Sequence, residues 1–385
     1  MSSARIILIR PERKTIETLD EPPESMPQDG FIWMACDRDT FSREPDVVQG
    51  LLARWTGGRL LELHVSDLLN ANSPSQFDFT SRYEMLVFRR LADNQFETGT
   101  DAAPAANAKN DRSASKSNPL PAARKAQTLP VGFVVFEKVL LSVHPPGCSV
   151  LEAYSRRLDQ LASRELEAAG AAPSGPTRLP DAPAELMLRI VSQMVDAYLD
   201  LRKTMTRQLD HWQQRLLRPN IYFDNWDGLL KARQSLHHLY DICEDQHNAL
   251  DRWMDVLEDL PAPDTPDAQH EHDQLLVRSR DILEHIERVS HHVRQLERSA
   301  ETAIQIHFNI QNNRTNDVMR MLTAITAIFL PLNLIAGIFG MNFQFTPWLH
   351  TKLGFWGTLA VMLLIAITLV AFFARKRYLS SSKLD

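Results

Sequence analysis

Apolar and polar positions follow three different rhythms along this chain. Near the N-terminus the apolar runs are short and bounded by turn residues: ARIILI, then GFIWMAC, then RYEMLVFRRL. Such runs predict strands, with a helix between them around VVQGLLARW. VGFVVFEKVLLSVH predicts two more strands, joined by a turn near Glu137-Lys138. Between these groups, residues 96–130 are rich in Ala, Ser, Asn and Pro and nearly free of large apolar residues, so they predict a disordered insertion. Residues 1–171 are therefore expected to form an α/β domain whose sheet is interrupted by that insertion.

The second rhythm is helical. After the Pro-rich break at 172–183, Met187, Ile190, Met194, Tyr198, Leu201, Met205, Leu209 and Trp212 recur every three or four positions, one face of a helix. A second helix is predicted over about 225–257, ended by LPAPDTPD. From about Ala268 the pattern runs without Pro or Gly as far as Pro331. Within it Ile282, Ile286, Val289, Val293, Leu296, Ala300 and Ala303 step by fours and threes, a heptad seam that predicts packing against other helices. Residues 184–320 thus read as a helical domain. Its last helix, roughly 70 residues or ~100 Å long at 1.5 Å per residue, continues into the third regime as a stalk.

That regime is apolar throughout. Met321 to Thr351 contains no Asp, Glu, Lys or Arg. Residues 321–343 and 355–374 are each of about 20 residues, enough to cross a ~30 Å hydrocarbon core. Arg320 precedes the first segment, Arg375-Lys376-Arg377 follows the second, and the loop 344–354 holds only Lys352. Positive-inside bias then places both termini and the large head in the cytoplasm, with a basic tail at 375–385 and Trp348 and Trp356 near the interfaces. The N-terminal apolar run is too short for a signal peptide.

Composition changes this picture little. The chain is 385 residues, 44% hydrophobic and 23% charged, with net charge −6, an acidity that argues against a nucleic-acid partner. The three cysteines lie far apart without paired spacing and suit reduced thiols. No Gly-rich phosphate loop, GxSxG or HExxH supports an enzyme.

Two helices cannot enclose an aqueous pore, so a transporting protein of this kind must oligomerise around one helix per subunit. Continuing the heptad seam inward predicts a polar-tolerant stripe along the first span that offers that lining: Asn316, Met319, Leu322 or Thr323, Thr326, Leu330 and Asn333. An amide in mid-membrane needs a partner helix or a water-filled axis, and the residues alone leave both open.

NNRTNDVMRMLTAITAIFLPLNLIAGIFGMNF closely resembles the first span of the CorA family of divalent metal-ion transporters. The GMN tripeptide, here Gly340, Met341 and Asn342, is that family's signature, and Asn316, Leu322-Thr323, FLPL, AGI and Phe343 match around it. The resemblance implies an α+β membrane protein: a cytoplasmic α/β head, a long helical stalk, two C-terminal transmembrane helices and a homopentameric funnel in the cell's inner membrane. Gly340, Met341 and Asn342 would ring the outer pore mouth as a selectivity filter. Neutral amide oxygens could hold the waters of Mg²⁺, which dehydrates reluctantly, without trapping the ion. Asn316 would form an inner polar ring, and Met319, Leu322 and Leu330 apolar constrictions. No resident cofactor is implied; the divalent cation is cargo and regulator.

The family also implies gating by intracellular metal bound between neighbouring heads. RDILEHIE resembles the segment that carries such a residue, at Asp281, with Glu284 and His285 one turn on. A solvated helix face is the competing reading. The other histidines lack ligand spacing and read as exposed polar residues. Departures bear on the metal. Phe339 stands where Tyr is common, Gln305 where an acidic ring is expected, and the external loop has no carboxylate. Mg²⁺ with Co²⁺ or Ni²⁺ is the first expectation; Zn²⁺ transport, or a non-conducting pentameric scaffold or metal sensor, are the alternatives.

Overall fold

A computed structural model describes residues 4–92, 127–167, 178–216, 226–261, 265–341 and 352–376. Most of the insertion, Asn342, most of the 344–354 loop and the tail beyond 376 lie outside the described residues. Among the described residues seven strands and eight helices follow one another as β1 (Ala4–Arg10), β2 (Thr15–Leu19), β3 (Phe31–Asp37), α1 (Arg38–Arg43), α2 (Pro45–Thr56), α3 (Glu62–Leu69), β4 (Gln76–Phe79), β5 (Glu84–Leu91), β6 (Thr128–Val135), β7 (Val139–His144), α4 (Ser149–Glu167), α5 (Pro183–Leu216), α6 (Trp226–Asp259), α7 (Pro266–Phe339) and α8 (Lys352–Arg375). Two compact units contain them: 1–211 with 224–300, and 212–223 with 301–385.

The first unit is built on one sheet, ordered β2-β1-β3-β7-β6-β5-β4. All neighbours are antiparallel except β3 and β7, which run parallel. The strands are apolar on both faces because helices cover both. Ile6, Leu8, Ile32 and Met34 pack with Phe41, Leu52 and Trp55 of α1 and α2. Their sequence neighbours Ile7, Ile9, Phe31 and Trp33 point the other way, into a core shared with α4 through α7. That second core joins the segment expected as the α/β domain to the one expected as the helical domain.

Strand β6 begins at Thr128, so the end of the expected insertion belongs to the sheet. Thr128, Leu129 and Pro130 pair with Leu91, Arg90 and Arg89. Proline and polar neighbours made the stretch look like a loop, but the cross-strand partner supplied by β5 overrides that local signal. Gly132 is where β6 receives α3: a Cβ there would stand 2.2 Å from Leu68 Cδ2. The carbonyl of Arg89 accepts from both Tyr198 Oη and Gln246 Nε2 at 2.8 Å, which fastens α5 and α6 to β5. All three cysteines are buried thiols outside any disulfide, and burial pushes the Cys36 and Cys243 thiols up to about 12.

The heptad seam holds as a buried face. Ile282, Ile286, Val289, Val293, Leu296 and Ala300 belong to the same core as Met187, Met194 and Tyr198 of α5 and Leu239, Ile242 and Trp253 of α6. Its partners are therefore helices of its own chain. One ionic cluster reinforces them. Glu185, only 5% exposed at its side chain, accepts from Arg189 at 2.7 Å and from Arg278 of α7 at 3.2 Å.

Candidate functional site

The second unit holds the end of α7 and all of α8. Both have stretches long and apolar enough to cross a membrane, with 6% and 0% of those windows buried within the chain. Phe355, Trp356, Leu363, Leu364 and Ile367 of α8 are all at least 60% exposed. Apolar surface of that extent needs lipid or further protein over it.

The end of α7 has two distinguishable faces. Ala324 is fully buried, and Ala327, Ile328, Pro331, Leu332 and Ile335 are half-buried. These lie on one side of the helix. Asn316, Met319, Leu322, Thr326, Leu330 and Asn333 are all exposed; at 100° per residue the last five lie roughly opposite the covered side, and Asn316 lies at the edge between the two, three turns before Ala327. Met319, Leu322 and Leu330 expose 59%, 58% and 66%. From Met319 to Asn333 the stripe picked out in the sequence is thus one coherent face, but it is not the continuation of the heptad seam. Steps of seven lead from Ala303 to the buried Ala324 and half-buried Pro331. Asn316 follows Ala303 by 13 residues, which carries it off the seam.

Polar groups on the exposed face are partly accommodated by the backbone. Thr323 Oγ1 donates to the Met319 carbonyl at 2.8 Å, and Thr326 Oγ1 to the Leu322 carbonyl at 2.9 Å. Side chains that return their hydroxyls to the preceding turn cost little in an apolar setting. Pro331 sits inside the helix, where its missing N–H leaves the Ala327 carbonyl without the usual donor.

The helix ends at Phe339. Gly340 N donates to the Ala336 carbonyl at 2.9 Å and Met341 N to the Ile338 carbonyl at 3.4 Å, so the GMN segment begins as the closing turn of α7. A Cβ on Gly340 would press to 3.0 Å from the Ala336 carbonyl oxygen, a tighter fit than side chains normally accept. Asn342 follows outside the described residues.

The candidate regulatory residues divide. Asp281 is 60% exposed, with His285 Nε2 at 3.9 Å from its Oδ1. Glu284 turns away and accepts from Arg288 at 2.6 Å. No three His, Cys, Asp or Glu side chains converge into a metal site among the described residues. Within one chain, Asp281 and His285 are therefore brought together and Glu284 is not. Residues that the sequence reading missed are those that hold α7 in place: Glu185, Arg189 and Arg278. The i, i+4 spacing of Glu185 and Arg189 was a weak signal; the third partner, 89 residues further on, left none.

Comparison with known proteins places this architecture. A structure of the CorA magnesium transporter from Methanocaldococcus jannaschii superimposes with a TM-score of 0.66 at 14% identity, covering 97% of this chain and 98% of that one. The full-length CmaX protein follows at 0.53 and 16%, covering 97% of each. These likenesses establish the fold: an α/β head, a long helix and two C-terminal apolar helices. Among curated relatives, the cobalt/magnesium transport protein CorA of Thermotoga maritima is 38% identical over 100 residues, 26% of this chain and 28% of its own length. The putative metal ion transporter YfjQ of Bacillus subtilis is 26% identical over 211 residues, 54% of this chain and 62% of its own. The chain thus aligns over less than two thirds of either relative. The family profile described as "CorA-like Mg2+ transporter protein" matches residues 116–377, well over half of the sequence. By that match, and with the fold in agreement, the chain belongs to the CorA-like Mg²⁺ transporter family.

Proposed function

We propose that this protein is a divalent-cation transporter that passes hydrated Mg²⁺, and also Co²⁺ or Ni²⁺, through a homopentameric pore in the cell's inner membrane. The supporting observation is the exposed stripe of α7, where Met319, Leu322 and Leu330 lie between the polar residues Asn316, Thr326 and Asn333. Facing an axis, such a stripe supplies polar rings separated by apolar constrictions that close by dewetting. Gly340, Met341 and Asn342 form the filter at the external end, and the amide of Asn342 meets the waters of the arriving ion. Both termini and the head are cytoplasmic. An inside-negative potential draws a divalent cation inward with about 4.6 kcal/mol per 100 mV, at 2.3 per charge.

Gating follows from metal at Asp281. Its carboxylate is exposed, its ligand set is incomplete among the described residues of one chain, and a neighbouring copy would complete it. The test is divalent-ion flux into proteoliposomes under an imposed potential, with Mg²⁺, Zn²⁺, Co²⁺ and Ni²⁺ in competition. Mg²⁺ uptake that Asn342→Ala abolishes supports the proposal. Preference for Zn²⁺ favours the zinc alternative, to which the carboxylate-free external loop lends weight. Absence of flux for every ion would refute transport and leave a scaffold or sensor.

A further inference from the structure

The head contains a cavity that the transport reading does not use. Strands β3 and β7 are parallel neighbours whose last residues, Asp37 and His144, stand opposite each other in register. After β3 the chain enters α1, which packs on one face of the sheet. After β7 it enters α4, which packs on the other. Adjacent parallel strands whose following helices leave to opposite faces open a crevice beyond their carboxyl ends, the place where α/β sheets bind ligands. A cavity of about 220 Å³ lies there, between the sheet and α4.

Its lining has a definite chemistry. Trp33 and Leu151 form an apolar floor. The indole N–H of Trp33 already donates to Ser142 Oγ at 3.0 Å, so its ring contributes carbon surface. Arg5 and Glu152, both exposed, bring opposite charges to the rim, together with Asp37 and His144. The Asp37 oxygens each accept one bond from Thr40, at 2.8 Å, and a carboxylate has capacity for more. His144 Nδ1 donates to the Pro145 carbonyl at 2.9 Å, which leaves Nε2 as an acceptor on the neutral ring. Burial lowers the His144 pKa and favours that neutral form.

Three acceptors and one guanidinium around an apolar floor match an ammonium, a carboxylate and a hydrocarbon side chain in one small molecule. We infer that this crevice binds a zwitterion of amino-acid size with an apolar side chain, held by Arg5 at its carboxylate and by Asp37, His144 and Glu152 at its ammonium. The inference stands apart from the transport reading, since no pore residue takes part.

The experiment is calorimetric titration of the full-length protein in detergent with three probes: L-leucine, isopentylamine and 4-methylpentanoate. Saturable L-leucine binding is expected, with each singly charged analogue roughly fivefold to tenfold weaker. Arg5→Gln should weaken L-leucine and 4-methylpentanoate and spare isopentylamine; Glu152→Gln should weaken L-leucine and isopentylamine and spare 4-methylpentanoate. Both side chains are exposed, so neither change should disturb folding, and circular dichroism checks this. Absence of saturable L-leucine binding overturns the inference, as does L-leucine binding that neither substitution alters.

Discussion

Replacing Glu185 by alanine should destabilise the first unit by about 3–5 kcal/mol, the cost of stranding buried cations without their anion. The structure sets this magnitude. Glu185 Oε1 accepts from Arg189 Nε at 3.0 Å, Arg189 Nη2 at 2.7 Å and Arg278 Nη2 at 3.2 Å. Its Oε2 accepts from the Asp181 amide at 2.9 Å. Without it, Arg189 (9% exposed) and Arg278 (28% exposed) face each other across α5 and α7. Burial, then the charge of Arg189, already lowers the Arg278 pKa, with Glu185 opposing them. Chemical denaturation of the detergent-solubilised protein, followed by tryptophan fluorescence, measures the loss. A triple variant, Glu185→Leu with Arg189→Met and Arg278→Met, should recover much of it, because apolar replacement of all three partners leaves no stranded charge. A loss below about 1 kcal/mol for Glu185→Ala would show that water reaches the cluster, as at an exposed ion pair, and would refute the reasoning.

Burial pushes the Glu84 carboxyl from 4.5 up to about 7. A raised carboxyl pKa means that folding favours the protonated form, so stability should fall as pH rises from about 4.5 to 7, by on the order of 2–3 kcal/mol. Glu84→Gln should flatten that part of the pH–stability curve; an unchanged slope would contradict it. Ile286→Ala, in the buried seam, should cost about 2–5 kcal/mol, whereas Leu330→Ala should leave stability within about 0.5 kcal/mol and raise ion leak in proteoliposomes. The reverse ranking in denaturation and flux would place the pore on the other face of α7. Asp281→Ala should reduce the protection from protease that millimolar Mg²⁺ gives the head, and undiminished protection would argue against a metal there.

Much of the architecture is legible in the residues alone, where local rules act without a distant partner. An uncharged run from Met321 to Thr351 can only be long, apolar and in need of lipid or protein around it. The threefold and fourfold steps from Met187 to Leu209 and from Ile282 to Ala300 must put those side chains on single helix faces, and both faces are buried. The strand runs ARIILI, GFIWMAC and VGFVVFEKVLLSVH were recognisable because both faces of the sheet are covered, which leaves nearly continuous apolar sequence. Short edge strands such as β2 and β4 carry no such run and were not anticipated.

Tertiary structure decided what depends on residues far apart in the chain. Thr128 to Pro130 became strand because β5 was there to pair with them. The heptad seam found its partners in α5 and α6 of the same chain, while further along α7 Asn316, Leu330 and Asn333 are exposed. A period of 3.5 or 3.6 tells which residues share a face, never which face is covered; only the packing of other elements against the helix settles that. The same holds for Glu185 and Arg278, and for the crevice between Asp37 and His144. Their meeting is a property of sheet order and helix placement, which no local pattern of side chains encodes.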